Sequence, residues 1–319
     1  MRTGFCSILL IALTMNFFPL PGLCSDVSEI VLQGTWGSES EQVGIKYPSP
    51  GVLPDAPFMG PGGFRVDPQG AVWISDSVNR SVKVFHEGKV EVFPIAAEKL
   101  GDLDLYGGAF YVCTKNPDGV FIGNQADGAE LRRIAIPFKS PGRLNIIDEN
   151  HFLVGENGGT GNQTPSGGSP DGGVWVVKEG VPSRHPAEVM EPVGNAERIF
   201  GIVYDLEESS RKIVYSGWTL DESEPILFSI LRQPGQRIVY NRILGLQEGQ
   251  PWVLILNAAT PSDYRAILLG LDGKVVKDIP LSLLTGCYLP AYWIPGTWPA
   301  LYGMLSDPQG FTVLRRSLE

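Results

Sequence analysis

The sequence predicts an all-β protein: a six-bladed β-propeller of four-stranded antiparallel blades, its ring closed by an N-terminal strand. Three observations carry that expectation. Residues 60–89, GPGGFRVDPQGAVWISDSVNRSVKVFHEGK, alternate apolar and polar side chains in three short runs separated by turn residues. Successive side chains of a strand point to opposite faces, so period-2 alternation between tight turns describes a half-buried antiparallel meander. The pattern then recurs in degenerate form along the chain, at the 40–50-residue interval typical of a propeller blade. Finally, the last recurrence holds only three strands, while SEIVLQGTWG (Ser28 to Gly37) stands unassigned at the other end.

The first residues belong to a different element. Arg2 supplies a positive start, Ile8 to Leu13 with Phe17 and Phe18 form a short apolar core, and Pro19 to Cys24 break it. That layout predicts a signal peptide over residues 1–25, cleaved near Cys24 or Ser25, and a single propeller domain over 26–319. The apolar stretch is short for a membrane span, and no later segment qualifies. Leu23 stands before Cys24 where a lipid-attachment signal would carry a small residue. The expected location is secreted or periplasmic, without a lipid anchor.

The blades follow in order. The first covers about 61–94, with Asp67-Pro68-Gln69-Gly70, Asp76 to Arg80 and His86-Glu87-Gly88 as its turns. Asp102 to Pro137 form the second, with strands near Leu103, Phe110 to Cys113, Val120 to Ile122 and Leu131 to Ile136. PGRLNIIDENHFLVGEN opens the third, which resumes at GGVWVVKEG after an insertion between its middle strands. ERIFGIVYD, RKIVYSGW, PILFSILR and QRIVYNRI are read as the fourth, with ERIFGIVYD innermost. PWVLILN, YRAILLGLDGK and KVVKDIPL make the fifth; YLPAYWI, PALYGMLSDPQG and FTVLRRSL make the sixth. Ser28 to Gly37 then supply the missing outer strand, which joins the chain ends and removes exposed sheet edges.

Composition agrees with a turn-dense globular β protein: 39 Gly and 26 Pro beside 43% hydrophobic residues. A formal charge of -10 argues against nucleic-acid binding, which calls for a basic patch. Beyond the leader only Cys113 and Cys287 remain, in blades that are not neighbours, so both are read as small buried hydrophobes. Asn79-Arg80-Ser81 and Asn162-Gln163-Thr164 match the glycosylation acceptor pattern.

Blade one also resembles an NHL repeat, whose usual form is a Pro-Gly start, Val-Asp, an Asp-Gly turn, Tyr-Val-Ala-Asp, then Asn-x-Arg-Ile and Phe. Gly62, Val66-Asp67, Gly70, Trp73-Ile74-Ser75-Asp76, Asn79, Val82 and Phe85 fill those positions. Blades two and six match in outline. The chain is thereby similar to the NHL-repeat and lactonase-like (TolB-like) six-bladed propellers. That group includes lyases, lactonase-like hydrolases and pure binding scaffolds. The resemblance implies a zinc site of histidines for the lyases, yet His86, His151 and His185 fall at strand ends and connections. For the hydrolases it implies an early Glu with Asn and Asp around one calcium, and no acidic residue directly precedes Gly60-Pro61.

Candidate site residues follow from the register. Innermost strands line a propeller's channel, and their polar residues are Arg65, Asp67, Asp104, Arg143, Asn145, Arg198 and Tyr204. Three arginines near one axis could hold an anionic ligand; alternatively the aspartates cap turns or pair with the arginines as internal ties. The insertion GENGGTGNQTPSGGSPDGG (Gly155 to Gly173) offers Glu156, Asn157, Asn162 and Asp171 as oxygen ligands for calcium, although their spacing fits no known calcium loop. A Gly/Ser/Pro-rich loop is otherwise a mobile connection or a binding lid. Trp218, Trp252, Trp293 and Trp298 are read as packing between blades. No Gly-x-Ser-x-Gly elbow, P-loop or Cys-x-x-Cys pair occurs. The expected function is an exported scaffold that binds a protein or small-molecule ligand with no cofactor. The alternative is a calcium-assisted hydrolase or lyase of the lactonase-like type.

Overall fold

The computed structural model describes residues 28–46, 60–138, 141–156, 173–185, 190–194, 198–205, 210–217, 228–230, 240–246, 252–258, 263–270, 274–282, 292–296 and 299–318. Every regular element among them is a strand, and the strands form four-stranded antiparallel sheets. The first sheet holds β2 (Gly63–Val66), β3 (Val72–Asp76), β4 (Ser81–His86) and β5 (Lys89–Pro94). Next come β6 (Lys99–Tyr106), β7 (Ala109–Lys115), β8 (Gly119–Asn124) and β9 (Glu130–Ala135). A third contains β10 (Pro141–Ile146), β11 (His151–Glu156), β12 (Gly173–Lys178) and β13 (Val181–His185). The fourth is β14 (Met190–Gly194), β15 (Arg198–Asp205), β16 (Ser210–Gly217) and β17 (Phe228–Ile230). The fifth is β18 (Tyr240–Leu246), β19 (Trp252–Ala258), β20 (Asp263–Gly270) and β21 (Val275–Ser282). In the last sheet β22 (Tyr292–Pro295), β23 (Ala300–Ser306) and β24 (Gly310–Ser317) are joined at the edge by β1 (Ser28–Thr35).

Each sheet's leading strand lies against that of the next, from β2 through β6, β10, β14 and β18 to β22. Period-2 alternation divides each strand between two interfaces. Trp73 packs with Phe93, Phe110 and Phe121 between the first and second sheets. Its neighbours Val72 and Ile74 point the other way, onto Ile294, Met304, Phe311 and Val313 of the last sheet. Likewise Tyr111 and Cys113 pack against Phe152 and Val154 of the third sheet, while Phe110 and Val112 face the first. A middle strand is thus covered on both faces, and for this reason β3 is buried along its whole length.

Glycine sets the spacing at the leading strands. A Cβ on Gly62 would stand 2.3 Å from the Gly101 carbonyl oxygen, and one on Gly63 2.2 Å from an Asp102 carboxylate oxygen. Only glycine permits so close an approach, to backbone at Gly62 and to the Asp102 side chain at Gly63.

The outermost strands β1, β9, β13 and β21 are half-exposed and interrupted. The pairing skips Val31 in β1, Leu131 in β9 and Val276 in β21, and Pro182 and Pro280 lie in β13 and β21. Bulges and prolines of this kind blunt a sheet edge against pairing with another chain.

One part of the sequence reading is corrected. ERIFGIVYD is the second strand of its sheet (β15), and β14 leads it. QRIVYNRI contributes β18, the leading strand of the following sheet. The β14 sequence MEPVG carries Pro192 and a register irregularity, so it lacks the alternation that identifies a strand.

Candidate functional site

Four of the leading strands, β6, β10, β14 and β18, carry a local irregularity, while β2 and β22 pair regularly. In β6 the pairing skips Gly101 and Asp102, in β10 Gly142 and Arg143, in β14 Glu191 and Pro192, and in β18 Leu244. A bulge leaves its residues outside the ladder and re-aims their side chains. Asp102 and Arg143 owe their positions to it.

Arg65 of β2 reaches across two sheets. Its Nε donates to Asp104 Oδ1 at 2.9 Å, and Nη1 donates to the Phe64 carbonyl at 2.8 Å and to Asp102 Oδ1 at 3.3 Å. Nη2 donates to Asp102 Oδ2 and to the Leu144 carbonyl of β10, both at 3.4 Å. The carboxylates have further donors. Asp102 accepts from the Leu103 and Leu144 amides at 2.9 and 3.0 Å, and Asp104 from the Leu105 and Ile146 amides at 3.1 and 2.8 Å. Burial opposes the guanidinium charge, but Asp102 and Asp104 outweigh it and hold the Arg65 pKa above its ordinary value. Both carboxylates are largely saturated, which leaves little capacity for a general base. The cluster ties three consecutive sheets together.

Arg143 is buried, and its Nη2 donates to the carbonyl of Leu244, the residue that the β18 pairing skips. One side chain thereby links β10 to β18, the leading strand two sheets further on. Asn145, also on β10, is half-buried and engaged in polar contacts. Asp67 stands just after β2, where its carboxylate accepts from the Gln69 and Ala71 amides at 2.9 and 2.8 Å and from Trp73 Nε1 at 3.0 Å. It caps the β2–β3 turn. Arg198 and Tyr204, expected on an innermost strand, open and nearly close β15, the second strand of its sheet.

Adjacent antiparallel strands place the β2–β3 type of turn on one face of the assembly. The connections between second and third strands, and those from one sheet to the next, emerge on the other. Glu156 ends β11 on this second face, paired with Gly173, where the chain returns. Asn157, Asn162 and Asp171 lie outside the described residues, as do Trp218, Trp298 and Cys287. His86, His151 and His185 stand at three different strand ends, and among the described residues no group of three or more His, Cys, Asp or Glu could hold a metal ion. Asn79 of the first acceptor tripeptide donates its Nδ2 to Asp76 at 2.8 Å and to the Gly37 carbonyl at 2.9 Å, and Ser81 is buried.

Two interactions escape sequence reasoning. Asp102 sits in a bulge, where alternation fails as a guide. Lys83 reads as the outward residue of β4 but is 2% exposed. Its partners are two backbone carbonyls and Asp76, and backbone carbonyls leave no signature in side-chain chemistry.

No family model matches the sequence, and no curated protein matches it either. Solved structures do. A glucose dehydrogenase-like oxidoreductase of Thermus thermophilus is 14% identical, with a TM-score of 0.53, covering 80% of this chain and 96% of its own. A luciferin-regenerating enzyme is 12% identical at a TM-score of 0.53, over 81% and 91% of the two chains. Hydrazine synthase of Kuenenia stuttgartiensis is 14% identical at 0.53, over 81% and 77%. Likeness at this identity concerns the fold alone, and the fold is a β-propeller.

Proposed function

We propose that the chain is an exported six-bladed propeller, its ring closed by β1 on β24, that binds a protein or small-molecule ligand without turning it over. The observation behind this reading is the Arg65–Asp102–Asp104 cluster: these three charges are engaged with one another and with backbone, as ties between sheets. Packing of Phe64, Ile74 and Phe85 against Ile294, Met304 and Phe311 supports closure of the ring between first and last sheets.

A second reading keeps the lactonase-like resemblance. Glu156 at the end of β11 would join Asn157, Asn162 and Asp171 around a calcium ion, which would polarise a substrate carbonyl. Elemental analysis of the purified protein, with melting followed in calcium and in chelator, separates the two. Folded, metal-free protein with one melting temperature in both conditions fits the scaffold. Stoichiometric calcium, with melting lowered by the chelator and in a Glu156→Gln variant, would replace it with the hydrolase.

A further inference from the structure

Beyond β1 the chain stays packed against the sheets on either side of it. Residues 36–44 fold back on themselves: the Gly37 amide donates to the Val43 carbonyl at 2.9 Å and the Val43 amide to the Thr35 carbonyl at 3.1 Å. The segment then crosses the seam between the last and first sheets. On the last sheet, Trp36 Nε1 donates to the Asp307 carbonyl at 2.8 Å, and its ring lies 5.2 Å from that of Phe311. On the first, Lys83 Nζ donates to the Glu39 carbonyl at 2.9 Å and to the Gln42 carbonyl, and pairs with Asp76 at 3.3 Å. Those three partners match the three hydrogens of an ammonium group. Asp76 is itself fully buried and accepts from the Gly44 amide at 3.0 Å and from Asn79. Val43, with no exposed surface, fills the seam among Phe64, Ile74, Phe85 and Phe311.

We propose that residues 36–44 are a strap across this seam, that β1 and the strap open together as one unit ahead of the rest of the molecule, and that Lys83 sets how often they do so. The inference rests on the closed-ring reading. A buried ammonium is stable only while its acceptors stay in place, and two of its three acceptors belong to the strap. Undocking the strap therefore strands Lys83 beside Asp76 and uncovers the apolar seam. Conversely, without Lys83 the Glu39 and Gln42 carbonyls lose their donor, and of its described contacts on the first sheet the strap keeps only the Gly44 amide on Asp76, the Gly37 carbonyl on Asn79 and the packing of Val43. The second sheet shares none of these contacts and serves as an internal reference.

Hydrogen exchange of the unaltered protein under native conditions, resolved by peptide, tests the opening unit. Amides of β1 and of 36–44 should exchange with a common protection, at least about tenfold faster than those of β7 and β8. In Lys83→Met their exchange should quicken roughly a hundredfold while β7 and β8 keep their rates. If residues 28–44 in the unaltered protein are protected as strongly as β7 and β8, the strap is not a separate unit and the proposal falls. Equal acceleration of all peptides in the variant overturns the role of Lys83. Amides of β1 exchanging as in an unfolded chain would instead overturn the closed ring itself. Should Lys83→Met fail to fold, the unaltered protein alone decides whether the strap opens first.

Discussion

Replacing Arg65 with Ala tests whether the charged cluster is a tie between sheets. The guanidinium is the sole side-chain cation on Asp102 and Asp104 among the described contacts, with side-chain exposures of 15%, 10% and 16% for the three residues. Removing one partner of a buried ion pair typically costs about 3–5 kcal/mol, because the other charge stays desolvated. Here the carboxylates retain the Leu103, Leu144, Leu105 and Ile146 amides, so the lower end, about 3 kcal/mol, applies. Arg65→Lys should recover only part of it, since a point charge cannot address Asp104, Asp102 and the Leu144 carbonyl at once. Equilibrium unfolding in guanidinium chloride gives the loss as a shift of midpoint at unchanged slope. A cycle with Asp104→Asn should return a coupling of about 1–2 kcal/mol. If Arg65→Ala costs under about 1 kcal/mol, or the two substitutions simply add, the cluster does not hold the sheets together and the residues are free for a ligand.

Phe110, fully buried and stacked on Phe93 at 5.8 Å with Trp73 and Phe121 also within 5.8 Å, should cost about 3–5 kcal/mol on replacement by Ala, read from the same unfolding curves. Burial pushes the Asp118 and Asp148 carboxyls up, but hydrogen bonds from Lys115 and Asn116 to the first, and from Asn150 and His151 to the second, outweigh it and hold both below their ordinary value. Folding therefore favours the ionised form, and the stabilisation is complete above about pH 4 and fades as pH falls through the depressed folded values. Melting temperature should drop across that acid range, less steeply in Asp118→Asn and Asp148→Asn; an unchanged slope in both would contradict the assignment. Burial, reinforced by Asp102 and Asp104 against Arg65, pushes the Cys113 thiol well above its ordinary pKa. An aromatic disulfide reagent should label it only after unfolding, as followed by peptide mass, and fast labelling of the native protein would refute its burial.

Strand positions in the first three sheets are legible in the sequence because their middle strands alternate and their hairpins end in turns such as Asp67 to Gly70, even where β6 and β10 bulge. The fourth sheet is not: β14 holds a proline and a bulge, and β17 spans three residues, so neither shows a period. Of the charged candidates, Arg65 and Asp104 do meet, yet Asp102, which completes their set, lies where β6 departs from alternation. Arg143 is expected from sequence to look into a channel; its reach to Leu244 depends on bulges in two strands far apart in the chain. Lys83 is invisible for a further reason: both faces of β4 are covered, one of them by backbone from residues 39–42.

The pairing of β1 with β24 has a consequence for biosynthesis. Glu29 meets Arg315, so a strand made early on the ribosome completes its sheet only when β24 has followed some 280 residues later. Until then the last sheet lacks its outer pair of strands, and a product cut short before β24 leaves β1 without its pairing partner. The pairing of first strand with last thus makes completion of this sheet a late event, one that waits for nearly the whole chain.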